Sequence, residues 1–520
     1  MSKWKTIQKT IPIEEILENG VFKVKGNLYS KMYRFDDSNF AIEPEETQEK
    51  MIERYEQLIS HFPDNVSLEL VFINRKMLSS EVKKRYHLAS KDDNKEKYRE
   101  CYNHIIDVKI ENGRNDISKA KYVLVTATIK DAREVQSQFS TYGSELDSAM
   151  KDLNKTGVTA LTALERLELI DYYYKGIHVA PFKDRAGRYS EDGKYDPKKV
   201  KRMSATARDI VAPVMMKKAG KGNSYIQLGE KRYARSFMVT ELPPSLDTSY
   251  LSKATSVPCE MVMTVHFAMT PRDKAEKTVR RLNNSIKAEI QKNSKTAVKS
   301  GLDPQYTLSE SLLEGRDEAT DLRREVVRDK KRVFYVTAST TIFAETEDDM
   351  KDFSSQFVGK NSDFSLVPNP LDGQQIAGLS HNALTGLKVL SRDIMLVSSS
   401  AVALFPLNIQ EIQDGKGRFY GTNAFSGNMI MFNRRDSDLP NGFIFGRAGS
   451  GKSYFAKGED IPNILGTNDD FIFIDPDAEY VALAKEFGGV VVDLRRHYGC
   501  TSPQSLLRKR SCTHEQSCSC

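Results

Sequence analysis

Cysteine is scarce over most of this sequence. Of the six cysteines, only Cys101 and Cys259 lie in the first 499 residues, and the other four fall within the last 21. Two scattered thiols exclude the disulfide framework of a small secreted domain and are typical of a protein from a reducing compartment.

Long apolar runs are also missing. No stretch reaches the roughly 18 apolar residues that a membrane-spanning helix requires. The longest candidate, Ile394 to Leu407, is interrupted by three serines and Pro406, so we predict buried core there. The N-terminus carries lysines but no apolar segment behind them, so no secretory signal is predicted. We therefore expect a cytoplasmic protein.

The length of 520 residues predicts two to four domains, because one hydrophobic core does not extend that far. A hydrophobic content of 39% with 28% charged residues is typical of a globular protein. The net charge of +6 is a mild excess that permits contact with DNA or an anionic membrane without requiring either.

An order of strand, helix, strand, helix, strand, helix is predicted over residues 1–180 and again over 236–380. The strands of the first set are predicted at Val21–Lys25 and Leu28–Phe35 (a hairpin), Val66–Ile73 and Lys121–Ile129, and those of the second at Lys231–Thr240, Met261–Met269 and Arg332–Glu345. The helix from about Glu45 has Met51, Tyr55, Leu58 and Phe62 on one face. The recurrence predicts an α+β N-terminal region made of two related, ferredoxin-like lobes.

Residues 181–235, between the two lobes, are rich in Lys, Arg and Gly. Two basic clusters, Lys198–Arg202 and Lys217–Lys221, stand out. One interpretation is a surface over 183–235 that contacts DNA or anionic lipid. The other is a solvated basic linker between domains.

A phosphate-binding loop occurs near the end of the chain. The residues predicted to hold a nucleotide are Gly446, Arg447, Ala448, Gly449, Ser450, Gly451, Lys452, Ser453 and Tyr454. The apolar run Phe443–Phe445 before the loop and a predicted helix start after it supply the strand-loop-helix context of the motif. Glycines let several N–H groups point at one anion, Lys452 reaches the β and γ phosphates of ATP, and Ser453 ligates Mg2+.

Downstream, Phe471–Ile474 and Val490–Val492 are predicted as parallel strands on either side of a helix at Ala478–Phe487. This predicts a βαβαβ start of an α/β P-loop NTPase domain over 381–494. A hairpin at Arg418–Gly421 and Asn428–Phe432 leads into it, and Pro462 predicts a short or kinked helix behind the loop.

Two carboxylates follow the second of these strands. Asp475 and Glu479 are candidate catalytic residues, because strand ends in such sheets face the ligand and a carboxylate there can activate water. Asp475 equally suits a helix N-cap with Pro476 at the first helical position.

In these motifs the chain resembles the conjugal-transfer ATPases of type IV secretion (TraC, TrbE and CagE type), which belong to the HerA and FtsK branch of P-loop NTPases. The resemblance is carried by Asn441 through Ser453, by Asp475-Pro476-Asp477-Ala478-Glu479-Tyr480 and by Gly488 through Leu494. It implies an ATP- and Mg2+-dependent ATPase that forms a hexamer. The enzyme would dock on secretion-channel components at the inner face of the cell membrane and power substrate transfer.

The sequence departs from this family at its end. The second acidic motif, an apolar strand ending in Asp-Glu, is expected beyond residue 494 and is missing, so we predict a truncated chain that binds nucleotide but is hydrolysis-deficient. Residues 495–520 form an atypical tail that suggests a shifted reading frame. A zinc site is the alternative there, although its donors have poor chelate spacing; they are His497, Cys500, Cys512, His514, Cys518 and Cys520.

Two other functions stay open at this point. One is a non-catalytic assembly or scaffold subunit of the secretion channel that keeps the loop as a remnant. The other is a DNA translocase of the HerA or FtsK kind, which the large N-terminal region disfavours.

Overall fold

The computed structural model describes residues 7–493 except 37, 39, 41–42, 78, 114–116, 155, 178–181, 204, 244–249, 300–308, 406–411, 413, 424–427 and 438–439. The chain divides into two compact units. Unit 1 comprises Met1–Tyr86 with Ile105–Arg434, and unit 2 comprises His87–His104 with Arg435–Cys520. The described residues have a mixed α and β fold with a large antiparallel sheet.

The first part of the chain supplies six strands and four helices. They are β1 (Glu15–Ile16), β2 (Phe22–Lys25), β3 (Leu28–Phe35), α1 (Glu45–His61), β4 (Val66–Lys76), α2 (Ser79–Tyr86), α3 (Glu96–Gly113), β5 (Ile117–Thr128), α4 (Val135–Asn154) and β6 (Val158–Ala160). The predicted hairpin and helix start are confirmed, and Met51, Tyr55, Leu58 and Phe62 are all buried.

A middle section follows. It contains α5 (Ala163–Lys175), α6 (Phe182–Ala186), β7 (Ser190–Glu191), β8 (Lys194–Tyr195), α7 (Pro197–Arg202), α8 (Ala207–Val211), β9 (Met216–Ala219) and β10 (Tyr225–Leu228). The prediction of a solvated linker over 181–235 is therefore wrong. Strands β9 and β10 belong to the large sheet, and Val200, Ile210 and Ile226 are buried in its core, because the apolar residues between the lysines pack inward.

The last part of unit 1 repeats the early order of elements. It contains β11 (Tyr233–Val239), α9 (Tyr250–Ala254), β12 (Glu260–Met269), α10 (Arg272–Lys299), α11 (Glu310–Arg323), β13 (Val333–Ala344), α12 (Glu347–Ser362), β14 (Pro368–Pro370), α13 (Gln375–His381), β15 (Ile394–Val397), α14 (Ser398–Ala401), β16 (Arg418–Thr422) and β17 (Met429–Phe432). Strands β16 and β17 form the predicted hairpin.

The two sets of strands, together with β9 and β10, form a single sheet of 13 strands among the described residues. In the first set β5 lies between β3 and β4, and in the second β13 lies between β11 and β12, with every pair antiparallel. Strands β4 and β12 pair with each other and join the sets. The predicted recurrence of strand and helix is confirmed. The lobes do not separate as compact units, because this pairing merges them.

Apolar side chains cover both faces of the sheet. Alternate residues of β4, such as Leu68 and Leu70, pack with α1 and α4, whereas Val71 and Ile73 face a second core that includes α5. Burial on both faces explains why the strand sequences are nearly continuous apolar runs. No helix in the described ranges has the length and hydropathy to cross a membrane.

The sequence of Ala377–Leu390 predicts a helix, but the helix found there, α13, ends at His381. Leu384 and Gly386 have left-handed backbone angles, with φ of 60° and 78°. A Cβ atom on Gly386 would lie 2.2 Å from Thr126 Oγ1, so the turn approaches the sheet too closely for a larger residue. The close approach of this turn to the sheet replaces the second half of the predicted helix.

The face of the sheet that packs against α5 carries a group of buried polar residues that we call the polar seam: Ser30, Glu69, Arg166, His266 and His381. Arg166 of α5 is fully buried and donates hydrogen bonds to the Ser30 carbonyl (2.9 Å), the Ser30 hydroxyl (2.7 Å) and the Leu384 carbonyl (3.0 Å). Its guanidinium lies 4.2 Å from the centroid of the Phe22 ring. Nearby, His266 Nδ1 lies 3.3 Å from Glu69 Oε2 across the β4–β12 pair.

His381 is buried in the same seam and makes unit 1 sensitive to acid. Burial, the neighbouring His266 and Lys388 lower its pKa to about 3, opposed by Asp393. Its Nδ1 accepts a hydrogen bond from the Val389 N–H, which requires an unprotonated nitrogen. An unfolded histidine takes up its proton near pH 6.5, so between pH 6.5 and 3 the unfolded chain binds more protons than the folded chain.

We therefore expect the free energy of unfolding to fall as pH falls, by about 1.4 kcal/mol per pH unit from this group. This fall is measured by comparing the urea midpoints of unfolding at pH 7 and pH 5 for the native chain and for His381→Gln. The variant keeps an acceptor but cannot titrate, so its midpoint should fall less. Equal falls in both proteins would contradict the assignment to His381.

Candidate nucleotide-binding loop

The phosphate loop leads into a helix in unit 2. Helix α15 spans Lys452–Gly466, and Gly451 precedes it with φ of 90°. Gly449 is also left-handed, with φ of 76°. Only glycine adopts these angles without strain, so both glycines are required by the turn itself. The Phe455 N–H donates to the Gly451 carbonyl at 2.9 Å and begins the helical ladder.

Gly446 lies close to two side chains of the same loop. A Cβ atom there would lie 2.4 Å from Ser450 Oγ and 3.1 Å from Lys452 Cγ. Lys452 folds back across the loop, and its Nζ donates to the Arg447 carbonyl at 3.1 Å. The Ser450 N–H donates to the same carbonyl at 3.2 Å. The ammonium group is thus held against the loop by one exposed hydrogen bond that an anion can replace.

Exposure of the loop leaves room for a ligand. Residues 446–451 are exposed, and Lys452 and Ser453 are half-buried at the start of α15. Tyr454 is 86% exposed directly after them. The loop therefore offers backbone N–H groups, a helix N-terminus and a lysine at one accessible place, which is the donor set that binds phosphate.

The three strands predicted around the loop do not form a ladder. In the described part of unit 2, residues Phe443–Phe445, Phe471–Ile474 and Val490–Val492 have no strand pairing. The rings of Phe443 and Phe445 stack with their centroids 5.8 Å apart. These two side chains therefore lie on the same side of an extended segment. Phe443 is 83% and Ile474 96% exposed. The predicted βαβαβ arrangement is absent from this part of the structure, because an extended segment without a hydrogen-bonded neighbour is not a strand.

Of the short or kinked helix predicted behind the loop, the short form is wrong. Helix α15 runs through Pro462 for 15 residues. Proline removes the N–H that would bond to the Gly458 carbonyl, but the buried Pro462 ring contributes to packing. The Asn463 side chain donates to the Glu459 carbonyl at 3.0 Å and supports the same turn.

Asp475 and Glu479, the two candidate catalytic carboxylates, lie in the segment that precedes a short helix. Asp475 Oδ2 accepts from the Tyr480 N–H at 2.7 Å and closes a turn. The helix predicted from Ala478 starts at Val481 and is labelled α16 (Val481–Glu486), because Ala478 is left-handed with φ of 58°. Asp475 is thus a turn residue rather than the N-cap. Among the described residues, neither carboxylate shares a hydrogen bond or ion pair with Lys452 or Ser453, and Glu479 is exposed.

Tyr480 ties this turn to the helix behind the loop. Its ring stacks on Phe473 at 4.7 Å, and Lys457 Nζ of α15 lies 5.1 Å from the ring centroid. Burial and the Asp460 carboxylate raise the pKa of the Tyr480 phenol, so it stays protonated at neutral pH. The Asp-Pro-x-x-Glu-Tyr string therefore packs on the loop helix through its last residue.

A segment from the N-terminal half of the chain completes unit 2. Arg99 is fully buried, forms a bidentate ion pair with Asp93 and donates to the Leu465 carbonyl at 3.4 Å at the end of α15. Lys91 Nζ donates to the Thr467 carbonyl at 3.0 Å, and Lys95 Nζ to the Phe487 carbonyl at 2.9 Å after α16.

We call residues 87–104 the brace segment, because its cations bind the carboxyl ends of both helices, where the helix dipole favours positive charge. Sequence reasoning missed the brace. Arg99 and Leu465 are 366 residues apart, and no local pattern links them.

The part of the chain that the structure describes was also compared with the donor sets of metal sites. The described residues contain no group of three or more His, Cys, Asp or Glu side chains able to hold a metal ion, and the donors of the alternative zinc site lie outside the described residues. Scans of protein-family models and of curated proteins gave no match to this sequence.

Proposed function

We propose that this chain binds ATP at residues 446–453 and is a nucleotide-binding subunit of a conjugative type IV secretion machine. The observation that carries the nucleotide site is the loop itself. Gly449 and Gly451 are left-handed, Gly446 is in contact with the Lys452 stem, and Lys452 is held by one carbonyl. The resemblance of the motifs to conjugal-transfer ATPases supports the secretion role.

Each loop residue has a distinct task in this proposal. The N–H groups of 449–453 bind phosphate oxygens, and Lys452 leaves the Arg447 carbonyl to bind the β and γ phosphates. Ser453, half-buried at the second residue of α15, would hold Mg2+ through its hydroxyl. A bound Mg2+ neutralises phosphate charge. Tyr454, exposed beside the loop, is the residue available to contact the rest of the nucleotide.

We further propose that the 520-residue chain binds ATP without appreciable turnover. In the family that the chain resembles, hydrolysis is expected to use a carboxylate that orients the attacking water. Asp475 is engaged by the Tyr480 N–H, and Glu479 is exposed without a contact to Lys452 or Ser453. The roles of Asp475 and Glu479 in water activation would require the turn at Pro476–Glu479 to rearrange.

Substitution of Lys452 tests the site. We expect Lys452→Ala to weaken binding of a fluorescent ATP analogue by about 30-fold or more, since a charge-assisted contact to phosphate is worth about 2–3 kcal/mol. Lys457→Ala is the matched control, because Lys457 belongs to the same helix α15 as Lys452 but its ammonium lies over the Tyr480 ring. Equal affinity of the native chain and Lys452→Ala would disprove the assignment.

A scaffold role without nucleotide is the second candidate. The exposed extended segments on either side of the loop favour it, because Phe443–Phe445 is not fixed in a sheet. The same titration separates the two functions, since a scaffold would bind nucleotide in neither protein. Turnover that disappears in Lys452→Ala would instead show that the chain is a complete ATPase.

The same family resemblance supports a proposal about how this chain assembles with other subunits. We propose self-association into a hexamer and docking on channel components at the inner face of the cell membrane. Light scattering of the purified chain with and without ATP measures the first of these, and a monomer under both conditions would count against it.

A further inference from the structure

Helix α10 carries a stripe of cations along one exposed side. It is 28 residues long and is among the most basic elements of the chain. The stripe consists of Lys274, Lys277, Arg281, Lys292, Lys295 and Lys299, all exposed. Their spacings of three, four, eleven, three and four residues place them on one side of a helix with 3.6 residues per turn. At 1.5 Å per residue the stripe is about 40 Å long.

The opposite side of α10 is already occupied. Ala275 and Val279 are buried against Val326 and Val333, and Asn283 donates to the Ala319 carbonyl of α11 at 3.1 Å. Ala275, Val279 and Asn283 therefore fix this side of the helix in unit 1, whereas Leu282 is 38% exposed. The stripe is held in place by this packing and faces solvent.

Few acidic groups neutralise the stripe. Asp273 lies 4.0 Å from Lys277, and Glu276 pairs with Arg272 and Arg280, which lie outside it. Within the described residues, the other five stripe cations have no ion-pair partner. Asn284 and Ala288, both exposed, occupy the middle, so the charge is divided into two groups of three.

We propose that this stripe binds the phosphate backbone of duplex nucleic acid without sequence preference. A duplex carries one negative charge per roughly 1.7 Å of axis, so a straight stripe of this length meets many phosphates at once. A bilayer fits less well, because a membrane-surface helix needs a free apolar face, whereas Ala275 and Val279 of α10 are buried and its exposed stripe presents cations. The proposal is independent of the nucleotide site and places contact on α10 rather than on residues 183–235.

Neutralising one group of three tests the stripe. The triple variant Lys292→Gln, Lys295→Gln and Lys299→Gln should keep the helix, because Gln is a good helix former. We expect it to weaken binding of a fluorescein-labelled 30-base-pair DNA by about tenfold or more and to reduce the salt slope by roughly 2–3. Far-UV circular dichroism checks the helix content.

The matched control removes the same charge elsewhere. Lys217, Lys218 and Lys221 are exposed on and after the edge strand β9, in the region whose composition is most basic. Changing all three to Gln should leave DNA affinity within about twofold. An equal loss in both triples, no DNA binding by the native full-length chain in low salt, or stripe-dependent binding only to vesicles of anionic phosphatidylglycerol would each overturn the proposal.

Discussion

Replacing Arg166 with methionine is expected to destabilise unit 1 by about 3–5 kcal/mol. The guanidinium is completely buried and binds the carbonyls of Ser30 and Leu384. Burial lowers the pKa of Arg166 to about 9, so the group is still charged at neutral pH, and the negative charge of Glu69 favours that form. Methionine fills similar space but removes the donor that these two carbonyls share and the positive charge that faces Glu69.

The cost should be concentrated at the Leu384 turn. Leu384 has φ of 60°, a left-handed angle that a leucine adopts only when its surroundings hold it, and Arg166 binds its carbonyl twice. Hydrogen exchange of peptides covering β3 and residues 382–390 measures the loss. Arg54→Met is the control, because Arg54 also donates to a carbonyl, that of Asp152, but is exposed. Similar exchange in both variants would show that the buried contacts contribute little.

Replacing Arg99 with methionine is expected to loosen unit 2 without affecting unit 1. Arg99 joins Asp93 to the last turn of α15, and its loss leaves the buried Leu465 carbonyl without a donor. We expect amides of α15 and α16 to exchange about tenfold faster or more. The change is local because the contacts of Arg99 lie within the brace segment and residues 452–466.

A neighbouring lysine provides the comparison for Arg99. Lys97 is exposed on the same helix, so Lys97→Met should leave the exchange of α15 unchanged. Arg99→Lys restores a charge but not the bidentate geometry, and it should recover part of the protection. If all three variants exchange like the native chain, the brace does not hold the loop helix.

Local patterns predicted most of unit 1. The apolar spacing of Met51, Tyr55 and Leu58 located α1, and continuous apolar runs located β4 and β12. The pairing of β4 with β12 could not be predicted, because both edges of each strand have the same apolar character. The interpretation of 181–235 as a linker failed since lysines dominate the composition while only scattered residues such as Ile226 enter the core.

Sequence reasoning predicted the loop of the candidate site but not the residues that support the loop. Glycine spacing alone identified Gly446 and Gly451. The left-handed backbone angle of Gly451 demands glycine, whereas Gly446 lies close to other atoms of the loop. The start of α16 was misplaced by three residues, since Asp475 closes a turn with Tyr480 rather than capping a helix. Helix α15 continues through Pro462, a residue that normally breaks helices, because tertiary packing outweighs local propensity.

The junction between β4 and β12 also limits how this protein can be divided. Both strands are almost wholly buried. If the part of the chain with β4 and the part with β12 were expressed separately, eight paired positions on each strand would become exposed. Such an uncovered apolar edge is a template for joining another chain. Fragments cut between the halves should therefore aggregate or recombine with each other, and the intact polypeptide keeps the two complementary edges at high local concentration.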